Sequence, residues 1–330
     1  MLARLELGAG AAFASIQDQG RFGYQALGLS PSGAIDPRLM MLGNGLLGQD
    51  LTCAGLEYSR SKFEFICQSG AVNIVLAAHA KMRIDDKVYP SFAVTTVLAG
   101  QRVVIEAPSG HNYGFIAIEG GLDCPRIGGS YARHQRADLG LLLKEGRVLT
   151  SKPSKNPAVQ KRFLRTAPEL TAKTLRLCLG PQEQMFTQEA LDNLLNQEFS
   201  VTHQADRMGL RLQGVALEHK AQAEIASEPI ALGAMQVPAN GQAIVMLSER
   251  QTTGGYAKIA TLTALSCAQL AQTPAQSKVR FCAITPQEAR AEYRAWQQEI
   301  TRMLDQSALM GDLYNSNLIS GAYLNESEQP

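Results

Sequence analysis

The sequence predicts a mainly β fold with a few α-helices, and three observations carry that class. Short β-rich runs recur about every ten residues in the first half, at Phe63 to Cys67, Val72 to Leu76, Thr95 to Leu98, Arg102 to Ile105 and Tyr113 to Ile118. This rhythm belongs to an antiparallel sandwich or barrel rather than to alternating βα units. The length of 330 residues exceeds what one hydrophobic core usually serves, so two units of about 150 residues are expected. With 45% hydrophobic and 18% charged residues, the composition is that of a folded globular chain.

Taken in chain order, the first element with a clear signature is a helix over 37–47. Asp36 supplies an N-cap oxygen, Pro37 suits the first helical position, Leu39, Leu42, Leu46 and Leu47 follow a helical period, and Gly48 can end it. Within the strand series, Met82 to Ile84 and Val88 to Tyr89 flank Asp85-Asp86-Lys87, the pattern of a hairpin turn. From 151 to 167 two prolines, serines and basic residues replace any period, so this stretch reads as a linker between a first domain over 1–150 and a second over 168–304. In the second domain Leu175 to Leu179, Ala243 to Leu247 and Ile259 to Leu262 read as strands, and Thr187 to Leu195 as a Thr-capped helix. Thr285-Pro286-Gln287-Glu288 has the form of a capping box that launches a helix through about Met303, followed by a polar tail over 305–330.

Charge and motif content exclude several functions. Lys plus Arg total 31 against 30 for Asp plus Glu, a net charge of +1, so no basic field gathers nucleic acid or an anionic membrane. The six cysteines, Cys53, Cys67, Cys124, Cys178, Cys267 and Cys282, are too dispersed for a disulfide framework and read as reduced, mostly buried thiols. The amino terminus has neither a basic n-region with an apolar h-region nor a long apolar run, which points to a cytoplasmic chain. Gly43-Asn44-Gly45-Leu46-Leu47-Gly48 matches G-x-G-x-x-G but ends a helix instead of opening one, and Ala80-Lys81-Met82 lies among strands rather than in a biotin carrier. There is no P-loop, no histidine or cysteine spacing that suggests a metal, and no glycine after Tyr131 to complete a nucleophile elbow at Ser130.

Three polar, glycine-rich stretches remain. The first contains Gln17, Asp18 and Arg21 and continues through Ser32-Gly33-Ala34-Ile35-Asp36-Pro37. Its glycines allow the backbone to approach a ligand closely. The second sets Asp206 beside Arg207 before a strand. The third runs from Gln236 past a strand to Glu249, Arg250, Thr252, Thr253, Gly254, Gly255, Tyr256 and Lys258, gathering a carboxylate, two cations and hydroxyls around a Gly-Gly turn. Such a loop can offer N–H and hydroxyl donors to an anion. It also has the composition of a solvated hairpin.

At these residues the chain resembles the biotin-dependent carboxyltransferase family that includes the 5-oxoprolinase C subunits, the second subunit of allophanate hydrolase and the Kip-antagonist protein. IQDQGRFGYQ, SPSGAIDP, ADRMGLRL, SEPIALGAMQVPANGQ and SERQTTGGYAKIATL carry the resemblance, which extends from about Leu5 to Ala295. It implies two cyclophilin-like β-barrel domains and an ATP-dependent opening of 5-oxoproline to glutamate, with ATP and Mg as cofactor. It also implies 5-oxoprolinase subunits A and B as partners, of which the second, Kip-inhibitor-like one is in direct contact. An alternative is transfer of a carboxyl group to urea or a related amide, with biotin supplied in trans. A non-enzymatic alternative is a partner-binding antagonist of a Kip-type kinase inhibitor. On the first reading Arg207, Arg250 and Lys258 meet substrate or phosphate oxygens, and Asp206 and Glu249 orient or transfer protons. Gln236, Thr252 and Thr253 hydrogen-bond the substrate, and Gln17, Asp18, Arg21, Ser32, Gly33, Gly254, Gly255 and Tyr256 line its site. The chain departs from relatives at Ser130-Tyr131-Ala132-Arg133, at Gly140-Leu141 and at Ser227-Glu228-Pro229.

Overall fold

The computed structural model describes residues 2–154 and 160–309, so part of the expected linker and most of the expected polar tail lie outside the described residues. The first half is built from two antiparallel sheets. One runs in the order Leu122–Asp123, Val148–Ser151, Arg4–Leu7, Phe63–Ser69, Arg102–Ile105, Met82–Ile84, Lys87–Tyr89. The other runs Ala14–Gln17, Gly55–Ser59, Tyr113–Ile118, Ala71–Ala77, Val94–Leu98. Leu5, Phe63, Phe65 and Ile105 of the first sheet form one buried cluster with Ile16, Leu56, Leu76 and Ile116 of the second. Strand alternation sends the neighbouring residues Val75, Ala77, Phe115 and Ala117 to the opposite face, where they pack on helix α1, Pro37–Leu46. Tyr113–Ile118 is therefore buried at every position.

Helix α1 starts as its sequence requires, with Asp36 accepting from the Arg38 N–H and Pro37 in the first turn. The glycines that mimic a dinucleotide fingerprint are packing residues. A Cβ on Gly43 would stand 2.9 Å from the Ala117 Cβ, and one on Gly45 would overlap Leu304. Asp85, with φ 52°, turns the predicted hairpin between Met82–Ile84 and Lys87–Tyr89.

In the second half the sheet closes on itself. The barrel order is Thr174–Leu179, Lys258–Leu262, Ala234–Gln236, Ile244–Met246, Gly209–Gln213, Phe199–Ala205, Lys278–Ala283. Closure comes from a parallel pairing in which Leu175 faces Phe281. Helix α2, Gln188–Asn196, is capped by Thr187 as expected. Helix α3, Ala264–Gln272, is an addition to the elements expected from sequence. Helix α4, Pro286–Asp305, carries the predicted capping box in full. Outside the barrel, Glu224–Pro229 and Thr253–Tyr256 form a two-stranded ribbon.

Three of the contacts that join the halves position them. Trp296, Ile300, Met303 and Leu304 form one stripe on α4, at i, i+4, i+7 and i+8, and pack against α1, so the final helix completes the apolar layer of the first half. Residues of the expected linker and tail pair as short strands, Arg162–Phe163 with Ala308–Leu309. At the third place Asn112 Nδ2 donates to the carbonyls of Ala271 and Thr273 at 2.9 and 2.8 Å. Gln272 accepts from the Tyr113 N–H at 3.0 Å and donates to Asp36.

Of the six cysteines Cys67 and Cys267 are buried, Cys53, Cys124 and Cys178 are half-buried and Cys282 is exposed. The expectation of mostly buried thiols is thus corrected: Cys282 lies on Lys278–Ala283 at an exposed position of the alternating strand. Among the described residues no helix is long and apolar enough to cross a membrane.

Candidate functional site

The polar centre of the molecule lies between the two halves, on the Arg207 guanidinium. Strands Gly209–Gln213 and Ile244–Met246 are neighbours in the barrel, which brings the loops at 206–208 and 247–250 together. The Glu249 N–H donates to the Arg207 carbonyl at 2.7 Å. Asp206 fixes the turn, its Oδ1 accepting from the N–H groups of Met208 at 2.8 Å and Gly209 at 3.1 Å. Opposite, Ser32 and Gly33 both have positive φ, 58° and 84°, and a Cβ on Gly33 would meet the Gln19 backbone at 2.8 Å. Only glycine fits there without strain.

Arg207 reaches across this gap. Its Nε donates to Glu249 Oε1 at 2.6 Å, its Nη1 to Glu57 Oε1, and its Nη2 to Ser32 Oγ at 3.2 Å and the Gly33 carbonyl at 2.5 Å. Four of the five guanidinium N–H bonds are used, leaving one on Nη1. Glu249 also accepts from Ser32 Oγ at 3.1 Å and from the Gln135 N–H at 2.9 Å. Glu57, in strand Gly55–Ser59, accepts from the Ile35 N–H at 2.7 Å.

Two buried carboxylates thus share one cation, and their environments push them apart. Burial holds the Glu57 carboxyl above its ordinary range, opposed by Arg207. Burial also acts to raise Glu249, but Arg207 and the Gln135 N–H outweigh it and hold this carboxylate below the ordinary value. Burial alone would lower Arg207, yet the two carboxylates raise it, so it stays charged. A cleft of about 230 Å³ opens on this centre, lined by Glu57, Tyr113, Arg133, Asp206, Arg207 and Glu249.

The other sequence-predicted residues divide into three groups. Gln17, Asp18 and Arg21 are buried braces for the loop that departs from the family. Gln17 donates to the Arg133 carbonyl at 3.0 Å, the acceptor that Ser32 Oγ also uses at 2.8 Å. Asp18 accepts from Ser130 Oγ at 2.6 Å and the Tyr131 N–H at 2.8 Å, and Arg21 donates to the carbonyls of Ile127 and Ala132. Arg250 is buried with its Nε on the Ile230 carbonyl at 3.0 Å, away from any carboxylate, and burial lowers its proton affinity. Lys258 is also buried and donates to Glu228 Oε1, the oxygen that also accepts from Gln182 Nε2 at 2.7 Å. Thr253, Gly254, Gly255 and Tyr256 belong to the ribbon, Thr252 is buried beside it with its carbonyl accepting from the Ile230 N–H at 2.9 Å, and Gln236 sits in the adjoining barrel strand.

Glu57, Arg133, His134 and Tyr113 enter the site without having been singled out as site residues from sequence. His134 is buried, with Nε2 2.9 Å from Ser30 Oγ and Nδ1 accepting from the Ala137 N–H and 3.9 Å from Glu249. Glu57 had a readable signal: it is the one charged residue in Gly-Leu-Glu-Tyr-Ser, a strand buried at four of five positions. A lone carboxylate in such a strand requires a partner. Among the described residues no group of three or more His, Cys, Asp or Glu side chains is placed to hold a metal ion.

Comparison with known proteins follows the same outline. The model of the carboxyltransferase domain, subdomain A and B, matches residues 27–283. The chain is 31% identical over 299 residues to the 5-oxoprolinase C subunit of Haemophilus influenzae, covering 89% of this chain and 96% of that protein. It is 29% identical over 281 residues to the 5-oxoprolinase C subunit of Escherichia coli, covering 84% and 90%. The solved structure of the K. lactis urea amidolyase superposes with a TM-score of 0.82 at 20% identity, over 91% of this chain and 20% of that one.

Proposed function

The chain belongs to the carboxyltransferase domain family, subdomains A and B, and from that membership we propose that it is the C subunit of an ATP-dependent 5-oxoprolinase. In this reading it works with subunits A and B to open 5-oxoproline to L-glutamate. The observation that carries the reading is the similarity to two 5-oxoprolinase C subunits over nearly their whole length. The Arg207 centre supplies chemistry suited to it.

Opening a lactam requires stabilising charge on the carbonyl oxygen and protonating the departing nitrogen. The unused Nη1–H of Arg207 faces the first task. We assign the second to Glu57, a carboxyl that lines the cleft and whose proton affinity burial raises. Glu249 remains ionised and fixes the guanidinium, while Asp206, exposed at the rim, takes the proton released by the attacking water. ATP, when bound to the complex, would supply a phosphoryl group that activates the amide carbonyl for attack by water and cleavage of the C–N bond. The two cations expected at the phosphates face other partners: Arg250 donates to backbone carbonyls and Lys258 to Glu228. We therefore assign nucleotide binding, and any Mg, to the partner subunits.

The test is glutamate release from 5-oxoproline by this chain mixed with its cognate A and B subunits. Release that needs both ATP and this chain is expected. No release from a folded, assembled complex overturns the reading. The family's carboxyltransferase activity motivates a second reading, carboxyl transfer to a urea-like amide with biotin supplied in trans; turnover abolished by avidin would select it.

A further inference from the structure

A second cleft, of about 820 Å³, lies wholly on the first half and shares no lining residue with the cleft at Arg207. Its charged walls are Asp18, Asp50, Arg126 and Lys152, and Tyr131 gathers the two cations. Lys152 Nζ donates to the Tyr131 hydroxyl at 2.7 Å and stands 4.4 Å from the ring centroid. The Arg126 guanidinium carbon is 5.7 Å from the same centroid, and its Nε donates to the Gly129 carbonyl at 2.7 Å. Among the described residues neither cation has a carboxylate partner. Both carboxylates of the walls are engaged in other ways. Asp18 accepts from the Gly20 and Tyr131 N–H groups and from Ser130 Oγ, and the buried Arg21 guanidinium opposes its charge. Asp50 accepts from the N–H and hydroxyl of Thr52 at 2.8 and 2.7 Å. Two like charges are therefore held about one ring, where they repel each other.

We infer that this cleft binds a small organic polyanion, a phosphate ester or a polycarboxylate, held by Lys152 and Arg126 on the Tyr131 platform. An anion relieves the repulsion that the fold leaves in place. It meets the ammonium as a point charge and the remaining N–H groups of the guanidinium as a planar fork. The cations are held in advance: the Lys152 N–H donates to the Gly121 carbonyl at 2.9 Å, and the Tyr131 N–H to Asp18 at 2.8 Å. Gly129, with φ 82°, has nothing within 4 Å of the place a Cβ would take, so the wall beside Arg126 is open to a ligand oxygen. The whole chain carries a net charge of only +1, which makes the attraction local to this cleft. The volume leaves room for an organic part, while the Tyr131 ring is taken up by the two cations and offers no platform to a base.

The full-length chain is titrated by calorimetry with pyrophosphate and with citrate in about 0.15 M salt, where distant surface charges are screened. Saturable binding of at least one anion is expected, weakened at least about tenfold in Lys152→Gln and in Arg126→Gln. Urea midpoints of the free variants, which should match that of the unsubstituted chain, show that both remain folded. Tighter binding of pyrophosphate assigns a phosphate ester and tighter binding of citrate a polycarboxylate, and either supports the site. Absence of saturable binding of both anions overturns it. Binding undiminished in the two folded variants also overturns it, because the anion is then adventitious. Turnover does not enter the measurement, so this site and the oxoprolinase reading fail independently.

Discussion

Arg207 and Arg250 stand on neighbouring loops of one barrel, within motifs that sequence alone treats alike, and they occupy opposite environments. Arg207 finds carboxylates from both halves of the molecule and remains charged. Arg250 finds only backbone carbonyls, and burial works against its charge. An arginine in a glycine-rich motif is therefore a donor set awaiting a partner, and here the partner comes from the other half of the chain. Glu57 and Glu249 pair with one of these two arginines, and the other is bonded to backbone carbonyls.

The contrast is broken most strongly by Arg207→Met. Two carboxylates are then buried without a cation, a loss of about 3–5 kcal/mol in folding stability, and turnover of the reconstituted complex falls at least about 100-fold. Urea unfolding and glutamate release measure the two effects. Glu57→Gln keeps the volume and removes the proton, so turnover falls about 100-fold while stability stays within about 1 kcal/mol. A parallel loss of both would reduce Glu57 to a structural partner. Arg250→Met is the converse, costing about 1–3 kcal/mol through the lost carbonyl bonds while leaving turnover per folded complex within about twofold. A large drop in turnover there would return Arg250 to the site.

The smallest effect is a difference in pH dependence. A carboxyl raised in the folded state, as Glu57 is, contributes stability that is lost as pH rises from the ordinary 4.5 through its folded value. Glu249, lowered in the folded state, contributes stability above 4.5 that is lost as pH falls through its folded value. Urea midpoints measured from about pH 3 to about pH 8 should lose the upper slope in Glu57→Gln and keep the lower one.

What the sequence disclosed follows the range of the interactions involved. Asp36, Thr187 and Thr285 cap their own helices, so their signals lie within four residues and their helices were legible. Helix α3 was not, because six of its nine residues are buried and no polar face marks its period. The parallel pairing of Leu175 with Phe281 closes the barrel without any local signal at either strand. The same limit applies to the site. Asp206, Arg207 and Glu249 stood out because they adjoin motifs, whereas Glu57 gains its role only when the strand Gly55–Ser59 is set against the barrel loop. Gln17, Asp18 and Arg21 were conspicuous for the same glycine-rich context, and the hydrogen bonds they make to the Ile127–Arg133 loop have no local signal.

The seam at Asn112 bears on the order in which the chain is assembled. The last carbonyls of α3 would otherwise face solvent or go unpaired, and Asn112 takes two of them, at Ala271 and Thr273. Synthesis proceeds from the amino terminus, so Asn112 and Tyr113 emerge before α3 exists. The end of that later helix is finished by a residue of the first half, and the same docking brings Glu57 within reach of Arg207, so neither half alone holds the assembled centre.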